Sequence, residues 1–314
     1  GAYLYSKFIG AVYFITGRSP FIIQYFNVFF GFITVYFVYK LVIELGGSKR
    51  SANIGAFIAA VFPTLNLYSA VILRENIITM MSLISVYFFI KWLGTGHIIR
   101  IVLAVLFLAG AASVHGGVII VGGIYLFFYC FYKPKEKKWS LINKEALIAI
   151  GITAVVFVFF RARLLNKLPS DITLIFSPEY LTSRLVPLAV GRTAYLVGYY
   201  PASLIDIVIH TPVRILHFLL TPFPWMVSSL SDIIGTVDAI IYGILCFFTY
   251  KGLKRSEGFN RILMLALLGI IIIEVFTFAW GTSNYGTAIR HRQKFVCLMI
   301  AAGAIGMCGY EKKD

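Results

Sequence analysis

The chain is 314 residues long, 60% hydrophobic and only 13% charged, with a mean hydropathy of +0.87. A water-soluble domain of that length carries far more charged surface, so the composition excludes one and describes a chain that faces lipid with Leu, Ile, Val and Phe. The formal charge of +15 sits mostly in short loops between apolar runs, which assigns it to topology and anionic lipid rather than to nucleic acid.

Residues 1–20 are aromatic and apolar but interrupted by Lys7 and closed by Gly17-Arg18-Ser19-Pro20, the pattern of a short interfacial helix before the first full span. Nine apolar runs follow, at about 21–43, 53–72, 75–93, 98–113, 115–132, 144–161, 231–250, 261–280 and 293–309. The expected fold is therefore all-α and polytopic, with about nine spans. It divides into an N-terminal helical part (1–161), an extracytoplasmic segment of amphipathic helices (162–230) and a C-terminal helical part (231–314), all of one membrane domain.

Flanking charge sets the orientation. Lys49-Arg50, Lys91, Arg100, the cluster from Lys133 to Lys138, the run from Lys251 to Arg255, and Lys312-Lys313 read as cytoplasmic by the positive-inside rule. Strict alternation then puts Arg74-Glu75, His115, the segment 162–230 and the stretch from Gly281 to Lys294 on the opposite side. Arg184, Arg192, Arg290, Arg292 and Lys294 lie there against the usual bias, for which there are two accounts, an anionic substrate or a different number of spans.

Individual positions sharpen this picture. Pro63 inside the second run predicts a kink, and Asn66 just beyond it needs a hydrogen-bond partner. Glu75 falls in the first turn of the third run, where the helix dipole favours an anion. Gly116 and Gly117 permit a tight outer turn with His115 at its tip, its ring available to a phosphate or carboxylate. Ser203 and Asp206 have N-cap spacing, Asp206 and His210 share a helix face, and Thr211-Pro212 reads as a second helix start. The result is one broken amphipathic element lying on the membrane surface, ending at Thr221-Pro-Phe-Pro-Trp225. Glu274, two turns inside the eighth run, must be neutral, paired or facing an aqueous cavity. Asn284, Arg290, His291 and Arg292 form a polar, basic turn before the last run. Cys130, Cys246, Cys297 and Cys308 are scattered without metal-ligand or disulfide spacing.

These ingredients suit sugar transfer from a polyprenyl-phosphate donor. The lipid tail needs an apolar groove, the phosphate needs Arg, Lys or His, and the acceptor hydroxyl needs a carboxylate base. A divalent cation, Mg or Mn, could assist the leaving group, although no ligand cluster is legible. Tyr25-Phe-Asn27, Phe62-Pro63, Leu73-Arg74-Glu75, the segment from Asn284 to Arg292 and the Thr221–Trp225 stretch together resemble the GT-C class of multi-span glycosyltransferases, in particular the bacterial relatives of protein mannosyltransferases and lipid-linked sugar transferases.

The resemblance implies inverting transfer by direct displacement at the extracytoplasmic face of a bacterial plasma membrane, with a polyprenyl-phosphate sugar and membrane lipids as partners. It implies that Arg290 and Arg292 meet the donor phosphate, with Arg74, His115, Arg184, Arg192, Asn284 and His291 completing the anion site, and Glu274, Asp206 and His210 in support. It also implies an acidic first extracytoplasmic loop ahead of a segment like residues 1–20. No aspartate lies between Gly1 and Ser170, so that acid is expected upstream or replaced by Glu75 or Asp171. Two other readings use the same features. A surface-polysaccharide polymerase or ligase would need a larger groove, and a transporter or flippase would use Pro63, Glu274 and the glycine-rich hairpin for gating.

Overall fold

A computed structural model describes residues 2–140, 151 and 177–311. Among these, twelve α-helices carry the fold, and the only strands form a two-residue antiparallel hairpin pairing Tyr132 with Trp139 and Lys133 with Lys138. The predicted all-α polytopic architecture is borne out. Helix α1 (Ala2–Thr16) crosses the start of α2 (Pro20–Glu44), with Tyr5 donating to Asn27 Oδ1 at 3.2 Å and Phe8 packed on Phe26 and Phe30.

The second predicted span is two helices, α3 (Lys49–Val61) and α4 (Pro63–Ser69), bent by 54° at Phe62. Proline disfavours helical angles at the preceding residue and has no N–H to continue the ladder; here Phe62 is extended and Pro63 starts a new helix. Asn66 supplies what the break removes, donating to the carbonyls of Ala60 at 2.8 Å and Phe62 at 3.1 Å.

Next come α5 (Glu75–Thr95), α6 (Ile98–Val114), a 3-10 turn (Gly116–Ile120) and α7 (Val121–Phe131). The predicted span 144–161 lies outside the described residues. The chain stands at the basic end of the bundle at Ser140 and at the opposite end when α8 (Pro178–Leu185) begins. Then follow α9 (Leu204–Leu220), α10 (Leu230–Arg255), α11 (Gly258–Ala279) and α12 (Tyr285–Cys308).

By length and composition, α2, α5, α10 and α11 can each cross a bilayer, as can α3 and α4 taken as one broken span; α6 and the stretch 116–131 are shorter apolar helices. Helix α12 differs from all of these. Every residue from Arg292 to Gly306 is buried, so it is the axis of the bundle and not a lipid-facing span. Its Gly303 and Gly306 lie against Leu245 and the Phe248 backbone, and a Cβ at Gly306 would collide with the Phe248 carbonyl. Small residues at that seam are what let α10 and α12 touch backbone to backbone.

The two ends of the bundle are chemically distinct. At one end Ser48 N–H donates to Gly309 O, Arg255 to Gly306 O, Lys135 abuts Gly96, and Lys137 lies over the Phe259 ring. The short basic loops assigned to one side by sequence therefore meet in space; Lys312-Lys313 lie outside the described residues. Glu75, Val114, Ala279 and Tyr285 stand at the other end.

Candidate functional site

The stretch read from sequence as a polar turn is mostly helix. Asn284 is its N-cap, accepting from Thr287 N–H at 3.3 Å, and the chain is helical from Tyr285 onward. Arg290, His291, Arg292 and Lys294 therefore point in different directions around α12. Positions 290 and 292 are about 200° apart on a helix, so the two arginines leave α12 on different faces and have different partners.

Arg290 faces α5. Its Nε and Nη2 donate to Glu75 Oε1 at 3.0 and 2.7 Å, while Glu75 Oε2 is buried without a partner. The Glu75 side chain is 4% exposed and that of Arg290 41% exposed, so the carboxylate is sunk in protein and the guanidinium has a free edge. Glu75 tolerates this depth because it is the first residue of α5, where unpaired helix N–H groups favour a negative charge, and because Arg290 compensates it.

Other charged groups gather at the same place. Arg74, the residue before Glu75, donates to Val114 O at 3.1 Å and ties the start of α5 to the end of α6. The His115 ring is 5.2 Å from that of His291, and both pack against Phe278 of α11. Lys294, one turn below Arg290, is 2% exposed, donates to Arg290 O at 3.2 Å and lies within electrostatic reach of both Glu75 and Glu274. Glu274 is 1% exposed, and its Oε1 has no partner. Formally, three cations, Arg74, Arg290 and Lys294, face two carboxylates beside a histidine pair. The excess is positive, and the half-buried Arg74 and Arg290 carry its exposed part.

Arg292 does something else. It is 1% exposed, donates to Leu219 O at 2.5 Å and Thr221 O at 2.6 Å, and lies over the Tyr242 ring. It caps the C-terminal end of α9, whose dipole is negative there. The expectation of a break within this amphipathic element is corrected. Helix α9 runs unbroken through Pro212, with Arg214 fully buried against Tyr199 O at 2.8 Å and the Trp280 ring, and its last turn descends onto α12. The Ser203–Asp206 capping box is present as predicted. Backbone N–H groups of Ala202 and Ser203 hold the Asp206 carboxyl below its ordinary range.

The remaining candidates lie elsewhere. Arg192 donates to Asp232 at 2.6 Å, Tyr285 at 2.9 Å and Ser228 at 2.5 Å, and the bond to Asp232 raises its pKa further. Asn284 bonds Thr193 at 2.5 Å, and Ala194 bridges to Asn284, so these two candidates strap the segment 192–195 across the start of α12. His210 stacks on Tyr199, and Arg184 is exposed at the end of α8. Asp171 lies outside the described residues.

Sequence reasoning passed over Asp232, Tyr285 and Asp238. Asp238 is 1% exposed, accepts from Thr64 beside the α3–α4 break, and leaves Oδ1 without a partner. An acid inside a predicted span was the available signal. Among the described residues no three His, Cys, Asp or Glu side chains cluster as metal ligands.

The all-helical bundle fits a membrane glycosyltransferase of the GT-C type, the type to which the family matched by this chain belongs. The chain belongs to the dolichyl-phosphate-mannose-protein mannosyltransferase family, which it matches over residues 1–181, more than half its length. That match contains Arg74, Glu75 and His115 but stops short of α12 and Arg290. No curated protein and no solved structure gives a significant match.

Proposed function

We propose that this protein transfers a sugar from a polyprenyl-phosphate donor to a lipid, glycan or protein acceptor at the extracytoplasmic face of a bacterial plasma membrane. The observation that carries the reading is the half-exposed Arg290 guanidinium, anchored on buried Glu75 and flanked by Arg74, His115 and His291. In the reaction the acceptor oxygen attacks the anomeric carbon, the bond from that carbon to the phosphate oxygen breaks, and negative charge develops on the departing lipid phosphate. A guanidinium fixed in advance stabilises that charge without reorganising. Glu75 fixes Arg290, and Lys294 and Glu274 support the pair from below.

The acceptor proton needs a carboxylate. Glu75 Oε1 is held by Arg290, which leaves Glu75 Oε2 and Asp171 as the two candidate bases. Arg292 and Arg192 serve as fasteners in this reading and not as phosphate ligands. The extracytoplasmic assignment rests on the basic loops gathered at the opposite end of the bundle.

The test is transfer from a polyprenyl-phosphate sugar by the purified full-length protein in vesicles. Arg290→Gln is expected to lower the rate by about 100-fold, the scale of one lost charge-stabilising donor. A folded variant with the parent rate overturns the proposal.

A further inference from the structure

Helix α4 is fastened at both ends. At its start the Thr64 hydroxyl donates to Asp238 of α10, and Thr64 O accepts from Gln293 Nε2 of α12 at 2.9 Å. At its finish Ser69 Oγ accepts from Asn76 Nδ2 at 2.8 Å, and Asn76 follows Glu75 on α5. The 54° bend at Phe62 gives α4 a direction of its own and brings its first turn against α10 and α12.

Tyr68 lies one turn after Thr64, and residues four apart share a helix face. Asn66, Leu67 and Ala70 are the exposed positions here, whereas Thr64 and Leu65 are buried and Tyr68 is half-buried. Arg290 lies just under one turn before Gln293, toward the end of the bundle where Glu75 stands. Tyr68 is thereby carried across from Arg290, with Arg290, Glu75, Arg292 and Asp238 all within electrostatic reach of its hydroxyl. Among the described residues that hydroxyl makes no hydrogen bond, although Thr64, Asn66 and Ser69 on the same short helix are all bonded.

A phenol so placed can donate one hydrogen bond to an oxyanion at the free edge of Arg290. It carries no charge of its own, so it adds a directed donor where the cluster already has its cations. We propose that Tyr68 is a catalytic residue of this site, its hydroxyl donating to a non-bridging oxygen of the phosphate that Arg290 meets. The assignment rests on the transfer reaction proposed above and adds a residue to it. Negative charge grows on that phosphate as its oxygen parts from the anomeric carbon, so the contact strengthens toward the transition state and counts for more in kcat than in KM. The phenol keeps its proton throughout.

The test compares Tyr68→Phe with the parent, both as full-length protein, in sugar transfer from a polyprenyl-phosphate donor, in binding of inorganic phosphate and in thermal unfolding. The substitution removes one oxygen and keeps the ring. Expected are a kcat lower by about tenfold, the scale of one charge-assisted hydrogen bond, a KM within about twofold, weaker binding of inorganic phosphate and an unchanged unfolding midpoint. A purely structural role would move the midpoint and leave kcat of the folded fraction at the parent value. Should the midpoint fall, 3-fluorotyrosine at position 68 in the otherwise unaltered chain decides: its fluorine resonance should shift on titration with inorganic phosphate, and a resonance that stays in place overturns the assignment. Parent-like kcat and phosphate binding in Tyr68→Phe, beside a loss in Arg290→Gln, overturns the role of Tyr68 and leaves the transfer reading standing. Parent-like values in both variants overturn both.

Discussion

Arg290 and Glu75 are 215 positions apart in the chain, yet both guanidinium contacts fall on a single carboxylate oxygen, Oε1, and leave Oε2 bare. The pair joins the first turn of α5 to the central helix of the bundle. Removing either partner leaves a charge whose compensation is gone, and for the 4% exposed Glu75 that is severe.

Arg290→Met is therefore expected to lower stability by about 3 kcal/mol through the stranded carboxylate. The double variant Glu75→Gln with Arg290→Met should recover most of that loss while remaining inactive. Thermal unfolding of the four proteins in one detergent gives the coupling directly, and additive losses would rule out a coupled pair.

Lysine substitution separates the two arginines of α12. Arg292→Lys keeps the charge but loses the planar fork that reaches Leu219 O and Thr221 O, so the unfolding midpoint should drop, with a loss on the order of 2 kcal/mol. Arg290→Lys should leave the midpoint near the parent value and reduce sugar transfer. Equal effects of the two on both readouts would contradict the division of labour proposed for them.

Glycine contacts predict a second contrast. Gly306→Ala drives a Cβ into the Phe248 carbonyl and should destabilise by about 3 kcal/mol or prevent accumulation of folded protein, because both partners are backbone. Gly123→Ala meets nothing within 4 Å and should be tolerated. Yield and monodispersity after purification distinguish them.

The Asp206 cap should show itself in pH dependence. Its folded-state pKa is depressed, so its stabilising effect is fully present above the ordinary carboxyl pKa and is lost as pH falls through the lower folded value. Amide exchange at Ala202 and Ser203, corrected for the intrinsic rate, should accelerate across that acid range. In Asp206→Asn the step should vanish.

Much of this fold was legible because a bilayer leaves the chain few choices. The break at Pro63, Asn66 as its local remedy, Glu75 at a helix start and the Ser203–Asp206 cap each follow from rules acting over a few residues. The site was legible only in part. Reading 281–294 as a turn discarded helical phase, and phase is what sends Arg290 toward α5 and Arg292 toward the end of α9. The role of α12 as a buried axis was hidden too, since an apolar run looks alike whether it faces lipid or protein. Partners such as Arg192 and Asp232, 40 positions apart, are set by how α10 and the strap 192–195 come together, which no local pattern records.

The position of α12 in the chain has a consequence for biogenesis. It is the last of the described helices to leave the ribosome, and it supplies both the middle of the bundle and Arg290. Until it inserts, the earlier helices lack the residues they pack on and Glu75 lacks Arg290. The packing of the bundle and the arming of its site are therefore complete only once this late helix is in place.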